Sequence, residues 1–181
     1  KLIVLFNEQE ATFSDSGKSV TAVISTVMLK ALIVQWKTVF KTDSATLRKI
    51  LQNSRVFFKG HGFSFDVTTD PLIYSILNIT PDSFYDGGVN MNLKTVLKKV
   101  EVEKNAGAAI FELGGKSSKP HFAEISAEEE WARIAPYIRG IKKSFPEVVL
   151  AVDSNTDSVV EHALDAGVQI INDIDGFESK K

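Results

Sequence analysis

The stretch Leu72-Ile-Tyr-Ser-Ile-Leu-Asn-Ile-Thr-Pro-Asp-Ser-Phe-Tyr-Asp-Gly-Gly88 decides how the chain folds. An apolar run, Leu72 to Leu77, stops abruptly at Asn78. A loop dense in turn formers and oxygen ligands follows: Thr80, Pro81, Asp82, Ser83, Asp86 and two glycines. A strand that delivers polar groups into a Pro/Gly loop is how an α/β barrel presents a reactive site.

The same rhythm continues toward the C-terminus. Leu93, Val96, Leu97 and Val100 mark a helix that should stop near Gly107, and Ala108–Leu113 reads as the next strand. Ser126-Ala-Glu-Glu129 has the form of a capping box. It would open a helix carrying Trp131, Ile134, Ile138 and Ile141, kinked at Pro136. Val148–Val152 is a third strand, Val159, Val160, Ala163 and Leu164 a helix face ended by Gly167, and Val168–Ile171 a fourth strand. Apolar strands joined by crossover helices predict a parallel sheet covered on both faces. Each strand ends in a polar residue, Asn78, Glu112, Asp153 or Asn172, so these four should converge on one rim.

The first sixty residues read differently. Lys1–Phe6 suggests a strand, and Lys18–Phe40 a helix, with a strand pair as the alternative because of its β-branched residues. Asp43 or Ser44 could cap a second helix whose Leu47, Ile50 and Leu51 face inward. Val56–Phe58 and Phe63–Val67 flank Lys59-Gly-His-Gly62, which predicts a hairpin. The expected organisation is a small α+β module over residues 1–60, followed by the strand–helix repeat over 61–181.

Composition narrows the function classes. Hydrophobic residues make up 44% and charged ones 24% of the 181 residues, an ordinary globular balance. A net charge of −2 argues against a nucleic-acid binder, which would carry a basic bias. With no cysteine, disulfides and thiolate metal sites are excluded, and a cytoplasmic setting fits. The apolar stretch Val20–Val34 is too short and too polar for a membrane span.

Asp153 could be a site carboxylate or the N-cap of a helix starting near Thr156; Asn172 on the adjacent strand end favours the site. Asp82 and Asp86 read equally well as ligands or as turn residues beside Gly87 and Gly88. Gly114-Gly-Lys-Ser-Ser-Lys119 is not a phosphate-binding P-loop, which needs a glycine at position 110, where Ile stands. His61, His121 and His162 have no metal-ligand spacing, and Trp36 and Trp131 sit at helical packing positions.

Four segments, in order, resemble the dihydropteroate synthases and the wider pterin-binding barrel family. They are Ile76–Gly88, Glu112-Leu-Gly-Gly-Lys-Ser-Ser-Lys-Pro120, Ala151-Val-Asp-Ser154 and Ile170-Ile-Asn-Asp-Ile-Asp-Gly176. The resemblance covers roughly residues 63 to 181. It implies a (β/α)₈ TIM barrel, of which about four units are present, and a transferase of folate biosynthesis. That enzyme condenses 6-hydroxymethyl-7,8-dihydropterin pyrophosphate with para-aminobenzoate, as a cytoplasmic homodimer.

The resemblance assigns Asp153 and Asn172, with Thr80 and Ser117, to substrate binding, and Asn78 to Mg²⁺. It gives Asp82, Ser118 and Lys119 to the catalytic loops. A carboxylate suits a pterin because the pyrimidinone edge shows two N–H donors. Position 116 departs from the usual Glu-Ser-Thr-Arg-Pro run: Lys116 replaces the acid, Ser118 the threonine and Lys119 the arginine. A pterin-binding homologue without synthase activity, or a methyl-tetrahydrofolate-dependent methyltransferase, is therefore the alternative. Since a closed barrel takes about 250 residues, the chain is expected to be part of a longer protein and incomplete for activity.

Overall fold

The computed structural model describes residues 12–15, 20–79, 92–116 and 125–178, with side chains from Ala22 onward. The expected strand Lys1–Phe6 lies outside the described residues. The chain divides into two compact units, residues 1–59 with 64–71 and residues 60–63 with 72–181.

In the first unit, β1 (Thr12–Asp15) pairs antiparallel with β2 (Val20–Val23), and α1 (Thr26–Phe40) follows. The helix expected from Lys18 thus begins eight residues later. Val20, Thr21 and Val23 are stiff at χ1 and suit a pleated strand. Ser25 then supplies the helix start, its Oγ accepting from the Met28 amide at 3.1 Å. Leu32 is buried among Ala22, Ile24, Trp36, Val39, Phe40 and Leu47, and the Trp36 and Phe40 rings lie 4.4 Å apart. Ser44 precedes α2 (Ala45–Asn53), but its Oγ accepts from Arg48 Nη1 at 2.9 Å instead of capping the backbone. Ile50, expected inward, is exposed. β3 (Phe57–Gly60) and β4 (Phe63–Asp66) form the expected hairpin, with Gly62 at φ +76° in its turn.

In the second unit the chain runs β5 (Ile73–Asn78), α3 (Leu93–Asn105), β6 (Ala108–Gly114), α4 (Ala127–Ser144), β7 (Val149–Asp153), α5 (Asp157–Asp165) and β8 (Ile170–Asn172). The four strands are parallel, in the order β5-β6-β7-β8. α3 ends at Asn105, with Ala106 as its C-cap, and Gly107 follows at a φ of +106°, a glycine conformation. α4 forms half of the expected capping box. Ser126 Oγ accepts from the Glu129 amide at 3.2 Å, while the Glu129 carboxylate turns outward to Arg133 at 2.6 Å. α4 runs on past Pro136 to Ser144.

The main core cluster lies on one side of this sheet. Leu77, Phe111, Leu113, Leu150 and Val152 pack against Val96, Val100, Ile134, Ile138, Ile141, Val159 and Ala163, all fully buried. The other face is covered too at its centre, where Ile110, Val149 and Ala151 are buried, as expected of a parallel sheet closed in on both sides. The strands follow one another in sequence order, each joined to the next through a helix, as in successive β/α units. The opposite face carries Tyr74, Ile76, Asn78, Glu112, Asp153 and Asn172. No helix among the described residues is long and apolar enough to cross a membrane.

Candidate functional site

Strand register places the polar strand ends. Asn78 pairs with Gly114, Gly114 with Asp153, and Asp153 with Asn172, so all four stand in one row across the carboxyl ends of the strands. Three of the four expected rim residues are thus together. Glu112 is not among them: it pairs with Ile76 and Ala151, one layer deeper, because β6 runs on to Gly114. Gly114 leaves a gap in the row. A Cβ there would lie 3.9 Å from Asn78 Oδ1 and 4.0 Å from Asp153 Oδ2, so two oxygens from opposite sides face the space a side chain would fill.

Asp153 caps no helix. The N-cap of α5 is Thr156, whose amide donates to Ser154 Oγ at 3.2 Å. The half-buried Asp153 carboxylate instead lines a pocket of about 350 Å³ with Lys116, Glu130, Ser154, Asn155, Asn172 and Ile174. Burial pushes the Asp153 carboxyl above the usual carboxylate range, and the charges of Glu112, Glu130 and Asp173 push it further.

Two residues of the site escaped the sequence reading. Tyr74 lay inside an apolar run, and its hydroxyl donates to Glu112 Oε2 at 2.8 Å. Asn172 Nδ2 donates to the same oxygen at 3.2 Å, which leaves Oδ1 of this pocket-lining residue as an acceptor. Burial, then Glu112, raises the Tyr74 hydroxyl far above its ordinary range, so it stays a donor. The signal was the alternation of Tyr74 with Ile76 and Asn78 on one strand face.

Glu130 is the second. It is 1% exposed, its Oε2 accepts from Thr156 Oγ1 at 3.1 Å, and its Oε1 has no partner among the described residues. It stands one helical turn before Ile134, in line with Ile138 and Ile141, which marks it as facing inward.

α4 also fixes the backbone leaving β6. Arg133 Nη1 donates to the Gly115 carbonyl at 3.0 Å, and a Cβ on Gly115 would meet the Glu130 carbonyl oxygen and Ile134 Cγ2 at 3.0 Å. Thr80, Asp82, Ser117, Ser118 and Lys119 lie outside the described residues. Among the described residues no group of three or more His, Asp or Glu is placed to hold a metal. His162 stacks on Trp131 with ring centroids 5.3 Å apart.

Residues 74–181, more than half of the chain, match the family described as pterin binding enzyme. The chain belongs to that family. It is 42% identical over 113 residues to the dihydropteroate synthase of Escherichia coli, a match covering 62% of this chain and 39% of that protein. Among solved structures, a Yersinia pestis dihydropteroate synthase with a sulfonamide drug complex is similar at a TM-score of 0.62 and 34% identity, over 69% of this chain and 45% of that one. A Xanthomonas albilineans dihydropteroate synthase with 4-aminobenzoic acid is similar at a TM-score of 0.59 and 28% identity, over 68% and 44%. The chain spans about two fifths of the length of the synthases it matches. In this pterin binding enzyme the four strands and their helices are β/α units of a (β/α)₈ barrel.

Proposed function

We propose that the chain carries the pterin-holding part of a dihydropteroate synthase. That enzyme joins 6-hydroxymethyl-7,8-dihydropterin pyrophosphate to para-aminobenzoate and releases pyrophosphate. The observation that carries this reading is the Asp153–Asn172 pair on adjacent strand ends, with Asn172 held by buried Glu112. A carboxylate beside a fixed amide oxygen matches the donor-rich edge of a pyrimidinone ring. The similarity to synthases, one of them solved with 4-aminobenzoic acid, supports the second substrate.

In the reaction, the bond from the pterin methylene carbon to pyrophosphate breaks as the amine nitrogen attacks. The protein's work is orientation and charge placement. Asp153 takes ring N–H donors and offers negative charge to the electron-poor ring. Asn172 fixes the ring's rotation, and Tyr74 and Glu112 fix Asn172. Mg²⁺ fits Asn78: this ion takes one or two hard oxygen ligands from the protein and keeps most of its water. Asn78 Oδ1 is such an oxygen, beside the open space at Gly114. When bound, Mg²⁺ supplies neutralisation of the leaving pyrophosphate. The resemblance extends the reading to a cytoplasmic homodimer.

Lys116, where the synthase pattern has an acid, favours one alternative: a homologue that binds pterins without condensing them. The full-length protein incubated with both substrates and Mg²⁺ tests this. Formation of 7,8-dihydropteroate supports the synthase. Pteroic acid binding without product supports the alternative, and absence of both overturns the pterin reading.

A further inference from the structure

We propose that Lys116 and Glu130 form an ion pair across the wall of the pocket, fixing the backbone that leaves β6 and neutralising the carboxylate beside Asp153. The inference rests on the pterin reading for its ligand, and on geometry alone for the pair.

Glu130 poses the physical problem. A carboxylate 1% exposed, with one oxygen lacking any partner among the described residues, is costly to keep charged. Thr156 satisfies only the other oxygen. Arg133, nearly one turn further along α4, is committed to Glu129 and to the Gly115 carbonyl. Among the described residues, Lys116 is the cation that shares the pocket with Glu130. Its backbone is already in place, because Gly115 packs so closely that a Cβ there would lie 3.2 Å from Glu130 Cγ. The next residue along carries a flexible four-carbon stem, so rotation of that side chain brings the ammonium to Oε1. Position 116 is an acid in the loop pattern this segment resembles. Lysine here reverses the charge facing Glu130.

The pair has a consequence for the ligand. The negative groups facing Asp153 are Glu112 from β6, Glu130 from α4 and Asp173 after β8, and Lys116 lines the same pocket as a cation; Asn78 and Asn172 face it as neutral amides. Neutralising Glu130 removes one of three negative neighbours, so Asp153 ionises at lower pH and accepts ligand donors over a wider range.

The test is a double-mutant cycle in the full-length protein, with pteroic acid as the probe. Lys116→Ala should weaken binding at neutral pH by about fivefold when Glu130 is present, and by less than about twofold in Glu130→Gln, the scale of one directly coupled pair. The acid limit of binding should move to higher pH in Lys116→Ala, to lower pH in Glu130→Gln, and return near the wild-type value in the double variant. Lys116→Arg should behave as wild type and Lys116→Met as Lys116→Ala, which keeps the test decisive if Glu130→Gln folds poorly. Thermal unfolding without ligand provides a second cycle. A wild-type protein that binds no pteroic acid would sink the functional reading, while unfolding midpoints would still decide the pair. Equal effects of Lys116→Ala with Glu130 and with Gln at 130, or a Met variant matching wild type, would overturn the proposal.

Discussion

Asn172 reaches past an intervening strand to donate its Nδ2 to Glu112 Oε2 at 3.2 Å. The two residues stand on β8 and β6, roughly 10 Å apart in strand spacings. The bridge is open because β7 presents only Ala151 at the level of Glu112. A small side chain in the middle strand thus lets a buried acid set the orientation of an amide two strands away.

Tyr74→Phe should destabilise the fold. Glu112 would lose its shorter hydrogen bond, leaving a buried carboxylate under-satisfied at a cost of about 1–3 kcal/mol. Urea unfolding of the variant against wild type measures it, and an unchanged midpoint would show that the hydroxyl contributes nothing to the network.

Asp153→Asn should cost pteroic acid binding about 2–3 kcal/mol, because the amide keeps the shape but loses the charge and one acceptor. Calorimetry on the full-length protein reads the loss directly. Retained affinity would remove Asp153 from the site.

The same substitution should stabilise the unliganded protein at neutral pH. Asp153 is raised in the folded state, so the native chain holds its proton at a pH where the unfolded chain has released it. Stability therefore falls as pH rises from the ordinary Asp range through the raised value, and the penalty persists above it. Asp153→Asn lacks that penalty. Its thermal midpoint should exceed wild type at neutral pH, and the advantage should vanish below the ordinary Asp range. An advantage unchanged with pH would mean that charge is not the cause.

Gly114→Ala and Gly115→Ala should separate binding from folding. At 114 the added methyl meets nothing closer than 3.9 Å, yet it fills the space between Asn78 and Asp153. Stability should hold and pteroic acid affinity should drop. At 115 the methyl would meet a helix carbonyl and buried Ile134 at 3.0 Å, an overpacking that costs about 1–3 kcal/mol. Denaturant melts and calorimetry on both variants check the pairing. Reversed effects would mean the row of strand ends is misplaced.

The second unit was legible because its signals are local: apolar runs of strand length, the cap at Ser126, and glycines at helix ends. Asn78, Asp153 and Asn172 could be read as a rim because parallel strands end on one side. Glu112 was placed a layer too high, since sequence shows where polarity begins but not how far a strand continues. Tyr74 and Glu130 were missed because their partners, Glu112 and Thr156, are 38 and 26 residues away. The strand β2 was absorbed into a helix, because its pairing with β1 outweighs the apolar spacing that suggested one.

Burial and the charges of Glu112, Glu130 and Asp173 lift the Asp153 carboxyl in the pocket, and this gives ligand capture a proton inventory. The unliganded protein holds the Asp153 proton to higher pH than an ordinary aspartate does. A ring that presents N–H donors selects the ionised form, so each binding event expels that proton into the buffer. The heat of binding then includes the buffer's own heat of protonation. At one acidic pH, the binding heats in acetate and in MES would differ by the fraction of a proton released times the difference between the buffers' ionisation heats, and the difference would vanish well above the raised Asp153 value.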